Sequence, residues 1–370
     1  MMLSVRTTRT SRDETGREVY EGRSNVTASQ FVPPMSPMSL NQGVTSDVAK
    51  QRIRCGILIV NYNSAKHVQR AVQSVLRHTC MESVRVQIVD NASGAEDREQ
   101  LGMLSGEQVY VDELHSNLGF ARGNNAAVRL LESRHTPDYL LFMNPDVEIL
   151  SAGTIEGLLA AIANSDPGIV GSQPLVWDPR KAETAADQIM IRRVPLYWDL
   201  VVAESLLLRP IFPRKFARFI MADVRPYCGL VPFEVPSGAF FAIDRTAFHE
   251  VGGWDDRTFL YGEELFLGAK LKSRGWRFVL DAQLCVAHLQ GSSAGFSRRF
   301  PRRSMFNHHR RSTCLFARSQ LGCSRVASAF LQVVMEIGFV CRVLDFALAR
   351  LCDWPRQYKA RLMRRFSNES

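Results

Sequence analysis

The sequence predicts an α/β protein, a mixed and mostly parallel sheet flanked by helices, with amphipathic helices following it. Three observations predict this. From Cys55 onward short apolar runs alternate with stretches of helical spacing, and such alternation makes each strand return over a helix to lie parallel to its neighbour. Polar clusters (Asn61-Tyr62-Asn63, Asp90-Asn91 and Asn144-Pro145-Asp146) end three of those runs, where open sheets bind ligands. The chain then turns basic: from Phe296 to the end there are 15 Lys and Arg against 4 Asp and Glu.

The elements follow in order. Residues 1 to 50 are rich in Ser, Thr, Arg and Pro without apolar periodicity, so a disordered leader is expected; its Asn25-Val26-Thr27 is a formal glycosylation sequon. CGILIVNY (55–62) reads as a strand, AKHVQRAVQSVLRH (65–78) as a helix and VRVQIVD (84–90) as a strand. EQVYVDEL (107–114), helix 119–133, YLLFMN (139–144), helix 154–164 and GIVGSQP (168–174) continue the series. Residues 178–233 break it, and their stretch 194–220 sets three prolines among aromatic, aliphatic and basic residues, a pattern of short amphipathic helices. Residues 234–295 return to compact strand and helix signals, and 296–370 form a basic helical tail. Its apolar stretch 326–354 carries Glu336, Arg342 and Asp345, which predicts a helix lying on a surface rather than crossing a membrane.

Composition excludes several classes. With 370 residues and 46% hydrophobic content the chain builds a sizeable core, and eight cysteines without a C-x-x-C pair suggest neither a zinc ribbon nor a disulfide framework. A reducing cytoplasm fits that usage. The N-terminus shows no basic segment leading into an apolar one, so no signal peptide is expected. Net charge is +9, and the tail accounts for more than all of it; with no readable DNA-binding motif, an anionic membrane suits it better than nucleic acid.

The chemistry lies in the clusters. A carboxylate at a strand end, such as Asp146, suits Mg²⁺ or Mn²⁺, which prefer oxygen ligands and neutralise phosphates; Asn-Pro-Asp is also a common turn. Asp90-Asn91 likewise opens turns. The glycines and helix start of GFARGNN (119–125) offer close backbone approach and NH groups to an anion, or simply close helix packing with Asn117 as cap. Glu263 and Glu264 at a helix start supply a carboxylate for proton transfer, or complement the helix dipole.

Taken in order, IVNYN, IVDNAS, NLGFARGNN, MNPDV and GGWDDRTFLYGEEL resemble the family 2 glycosyltransferases of the GT-A fold, nearest the rhamnosyltransferase-like enzymes of bacterial polysaccharide assembly. The resemblance covers about residues 54–295. It implies a nucleotide-sugar donor, plausibly dTDP-rhamnose, held by Asn61, Asn63, Asp90, Asn91, Gly119, Arg122, Gly123, Asn124 and Asn144. It implies a divalent metal on Asp146, with His288 completing the shell, and MNPDV stands for the family's Asp-x-Asp with Asn144 in the first place. Ser237, Gly238, Trp254 and Glu263 fall in the acceptor half, for a lipid-linked or polysaccharide acceptor. Glu264 matches the family's catalytic Asp, with Asp255 and Asp256 as substitutes, and Phe266 stands where many relatives have a second Asp. The implied enzyme is inverting and attached peripherally to the inner face of the cell membrane; its oligomeric state is open. A nucleotidyltransferase, or a binding protein that kept the fold, are the alternatives.

Overall fold

Strand β1 (Cys55–Asn61) is buried along nearly its whole length, as its unbroken CGILIVN run requires of a strand covered on both faces. A computed structural model describes residues 55–177, 191–224, 227–289 and 302–366, with Met81 and residues 348–366 described as backbone only. The expected leader, the sequon at Asn25 and residues 178–190 of the expected insertion lie outside the described residues.

Helix α1 (Ala65–His78) buries Val68, Ala71, Val72 and Val75 on one face and delivers the chain to β2 (Val84–Asp90), parallel to β1 in unbroken register from Cys55 opposite Val84 to Asn61 opposite Asp90. That register places the two polar strand ends side by side. Helix α2 (Ala95–Gly102), missed by periodicity because it buries only Leu101, leads to β3 (Val109–Glu113), the outer parallel strand. Helix α3 (Gly119–Arg134) crosses back to β4 (Tyr139–Met143), which pairs with β1 on the other side. Pro145 interrupts the chain there, as a residue without a backbone donor does at a strand end, and β5 (Val147–Ile149) joins a different neighbour.

Helix α4 (Thr154–Ala163) and β6 (Ile169–Trp177) follow. Short helices α5 (Tyr197–Glu204) and α6 (Pro213–Phe219) occupy the proline-rich segment as expected. Then come β7 (Leu230–Phe233), β8 (Phe240–Asp244), α7 (Arg245–Glu250), α8 (Glu263–Ser273) and the long β9 (Arg277–His288). The sheet runs β3-β2-β1-β4-β8-β6-β9-β5, with β7 on β9. Antiparallel β8 sits between the parallel group β3-β2-β1-β4 and the parallel pair β6-β9, so the segment entering β8 lies at the seam.

Helices α9 (Arg303–Ser319) and α10 (Arg325–Phe366) close the chain. Leu331 and Met335 of α10 pack with Phe306 and Phe316 of α9, Leu200 and Val201 of α5, and Leu265 and Phe266 of α8 in one buried cluster. By length and composition alone, Arg325–Ala347 is long and apolar enough to cross a membrane. Of the three charges, Glu336 turns to the protein, pairing with Arg303 at 2.6 Å and with Arg310 at 3.4 Å, and Arg342 is half-buried, while Asp345 is exposed.

Candidate active site

Two carboxylates flank the segment that enters β8. Asp146, 5% exposed, follows the end of β4, and its Oδ1 lies 3.2 Å from Nε2 of His288, the last residue of β9. The β5–β9 pairing, with Val147 opposite His288, sets that contact. Asn144 N donates to the carbonyl of Ala239 at 2.8 Å, tying the strand end to the segment Ser237-Gly238-Ala239 that enters β8.

The same segment holds the second carboxylate. Gly238 N donates to Glu264 Oε1 at 3.2 Å, and a Cβ at Gly238 would lie 2.5 Å from that oxygen, so only glycine admits the contact unchanged. Tyr261 and Gly262 both have positive φ, 71° and 86°, a turn that costs a non-glycine residue about 1 kcal/mol or more and that starts α8 at Glu263-Glu264. Glu264 Oε2 lies 4.0 Å from an Arg192 guanidinium nitrogen. Its neighbour Glu263 is 2% exposed with Oε1 unpartnered. Burial first, and the Glu264 charge second, push the Glu263 carboxyl well above its usual range, which favours the neutral acid. The turn also shifts Tyr261: burial, then the Glu263 charge, push its phenol up to about 12.

The family 2 glycosyl transferase model matches residues 56–249, more than half of the chain. The chain is a family 2 glycosyltransferase. It is 28% identical over 271 residues, 70% of this chain and 82% of the relative, to the N-acetylglucosaminyl-diphospho-decaprenol L-rhamnosyltransferase of Mycobacterium tuberculosis, in strain H37Rv as in strain CDC 1551. Among solved structures it is similar to the mannosyltransferase PcManGT of Pyrobaculum calidifontis in complex with GDP-Man and Mn²⁺, with 14% identity, 82% of this chain, 76% of that one and a TM-score of 0.49. GalNAc-T7 with UDP, GalNAc and Mn²⁺ gives 17%, 77%, 55% and 0.48.

In this glycosyltransferase the residues expected at the donor form two nests. Asn61 and Asp90 are fully buried: Asn61 Nδ2 donates to Asp90 Oδ1 at 2.9 Å and to Asp97 Oδ2 at 2.7 Å, and Ser93 N donates to Asp90 Oδ2 at 2.9 Å. Asn63, at a positive φ of 51°, accepts from Gly94 N. Asp97 also accepts from Ser64 N and Ala65 N, and so caps α1; sequence reasoning missed it because nothing in AEDRE marks a long-range cap. In the second nest Asn91 receives Leu118 N and donates to Asn117 and to the Gly119 carbonyl.

The GFARGNN helix start is held chiefly by the protein itself. At Gly119, φ 80°, a Cβ would meet the Phe259 carbonyl at 2.3 Å, and at Gly123 it would meet Val60 at 3.0 Å. Asn124 Nδ2 donates to the Phe120 carbonyl, while Arg122 Nε donates to the Asp256 carbonyl at 2.8 Å and thereby ties α3 to the loop before α8.

Trp254, expected at the acceptor, is instead a core residue: it is 1% exposed, with its ring 5.1 Å from Phe142 and 5.3 Å from Phe120. Asp255 is committed to Arg257 through contacts of 2.7 and 2.8 Å; burial alone would raise its carboxyl, yet the Arg257 hydrogen bonds hold it below the usual range. An ion-paired carboxylate is a poor substitute base. Asp256 is exposed in the same loop. Gln173 is a further residue the sequence did not single out: its Oε1 accepts from Ser237 N at 2.7 Å, and its buried Nε2 has no partner.

The donor set fits a divalent cation in part. Asp146 and His288 offer an oxygen and a nitrogen within 3.2 Å of each other, and phosphate oxygens and water complete such shells. Among the described residues no group of three or more His, Cys, Asp or Glu side chains gathers about one point.

Proposed function

We propose that this enzyme transfers a sugar, L-rhamnose from dTDP-rhamnose, to a lipid-linked saccharide diphosphate with inversion at the anomeric carbon. The observation that carries the reading is the short segment 237–239, which contacts the Asp146 strand end through Ala239 and the Glu264 carboxylate through Gly238. A leaving diphosphate and an attacking hydroxyl need such adjacent but separate partners. The rhamnosyl and lipid-diphosphate parts are supported by the printed name of the Mycobacterium tuberculosis relative.

In this mechanism Asp146 and His288 would hold Mg²⁺ or Mn²⁺, which would neutralise the donor diphosphate. The nest of Asn61, Asn63, Asp90 and Asn91 shapes the nucleoside site, with the GFARGNN helix start closing it. Glu264 takes the proton of the acceptor hydroxyl as that oxygen bonds to the anomeric carbon and the bond to the diphosphate oxygen breaks. The Gly238 NH fixes the carboxylate for that transfer, and Glu263, whose burial favours the neutral acid, can donate a hydrogen bond to the acceptor. The basic C-terminal helices keep the enzyme at the inner face of the membrane, where a lipid-linked acceptor resides.

The test is transfer from a panel of nucleotide sugars to a short-chain N-acetylglucosaminyl diphosphate lipid, with Mg²⁺, with Mn²⁺ and with chelator. Preferential, metal-dependent use of dTDP-rhamnose, lost in Asp146→Ala, is the expected result. Preference for another donor overturns the rhamnosyl assignment, and full activity in chelator overturns the metal.

A further inference from the structure

The outer face of α10 carries an apolar stripe. Val326, Phe330, Val333, Ile337, Val340 and Leu344 recur every three or four residues and are 80, 48, 55, 49, 51 and 56% exposed. That spacing places them on one side of the helix. Between Val326 and Leu344, Gln332 is the sole exposed polar residue. Helix α5 widens the stripe: Trp198, 57% exposed, lies 6.4 Å from the Phe330 ring, and Leu196 beside it is 68% exposed.

The opposite face of α10 is occupied. Leu331 and Met335 are fully buried against α9, a Cβ at Gly338 would meet the Glu204 carbonyl at 2.6 Å, and Glu336 is paired with Arg303. A helix that crossed the membrane would have to abandon these contacts and expose Phe306 and Phe316 to lipid or water.

We infer that Arg325–Ala347 lies in the plane of an anionic bilayer, seated by the Val326–Leu344 stripe and Trp198, and that it presents the acceptor side of the active site to the lipid. This rests on the membrane attachment proposed above and specifies its face and orientation. Charge selects the partner. Exposed Arg302, Arg303, Arg311 and Arg318 on α9 or its cap and Arg325 at the start of α10 outnumber the exposed Asp345, and the sequence beyond Ala347 adds Arg350, Arg356, Lys359, Arg361, Arg364 and Arg365 against Asp353 and Glu369. Two copies of so basic a face repel one another, whereas anionic headgroups attract it. An indole at the edge of the stripe suits the headgroup boundary.

The orientation follows from packing. Leu331 and Met335 share a buried cluster with Phe316 of α9 and Phe266 of α8, the helix whose first turn is Glu263-Glu264. The Phe259 ring stacks on His308 of α9 at 4.7 Å, just ahead of the turn at Tyr261. The seated helices therefore support the loop that carries the base.

The experiment is flotation of the full-length protein with phosphatidylcholine vesicles, with and without phosphatidylglycerol, beside the triple variant Phe330→Ser, Ile337→Ser, Val340→Ser. Binding of the unaltered protein to the anionic vesicles, release by alkaline carbonate, and a loss of at least about tenfold in the variant are expected. The variant should keep its melting temperature and its transfer to a water-soluble short-chain acceptor. No binding by the unaltered protein, unchanged binding by the variant, or resistance to carbonate would each overturn the inference. So would a solution dimer that the variant converts to monomer, since a second copy would then cover the stripe. Failure of transfer in the unaltered protein, by contrast, counts against the proposed reaction and leaves the flotation result standing.

Discussion

Gly238 and Glu264 illustrate how little freedom the site has at the scale of single residues. The Glu264 carboxylate is held by a backbone donor, Oε1 accepting from Gly238 N at 3.2 Å. Gly238→Ala would put a methyl group 2.5 Å from Oε1. The carboxylate must then swing away, and because positioning within an ångström governs proton transfer, kcat should fall by roughly a hundredfold. Donor affinity, measured by titration calorimetry, should stay within about a factor of two, since uniform binding is untouched. An equal loss in affinity and turnover would show that Gly238 serves the donor instead. This pair was half legible in the sequence. Glu264 stood out by its motif, but a glycine contact across 26 residues has no local signature.

At the scale of elements, the strands and main helices were legible because each buries a continuous or periodic apolar set, as β1, β2 and α1 do. What escaped was set by other forces. Helix α2 buries a single residue and is fixed by Asp97 capping a different helix, and Trp254 reads as a binding aromatic until its neighbours Phe142 and Phe248 are seen to enclose it. The attachment of α9 to α5 was also invisible: His309 Nε2 meets Glu204 Oε1 at 2.9 Å. Burial opposes both charges, yet the partners prevail, so Glu204 is held below its ordinary 4.5 and His309 above its ordinary 6.5.

The signs give a pH window. The His309 contribution is full below 6.5 and is lost as pH rises through its raised folded value, and the Glu204 contribution is present above 4.5 and lost as pH falls through its lowered one. The pair thus stabilises most between those limits. His309→Phe should cost about 2 kcal/mol near pH 6 by leaving a buried carboxylate short of a partner. Melting scans should show the gap between the two proteins narrowing as pH rises. A gap that is constant across pH would mean the loss is packing alone.

Across the whole molecule, the sheet order explains how one segment touches both the β4 end and the Glu264 carboxylate. Inserting antiparallel β8 between the two parallel groups brings residues 237–239 beside the end of β4, and α8 then returns to the same place. The alternation of strands and helices made the α/β class readable, but the seam was not, since nothing in the sequence says which strand β8 will join. The long helix α10 was legible as amphipathic, but the partners of its charges were not. Glu336 spends its charge on Arg303 and Arg310 of α9, a pairing with no local signature.

The central claim is that Glu264 is the proton acceptor in sugar transfer. Its most direct test is single-turnover transfer by Glu264→Gln, an isosteric change that retains an oxygen for the Gly238 NH but removes the base. The account predicts a rate lower by about a thousandfold with donor affinity nearly unchanged. A variant within about tenfold of the unaltered enzyme would contradict it, because a general base contributes more than that.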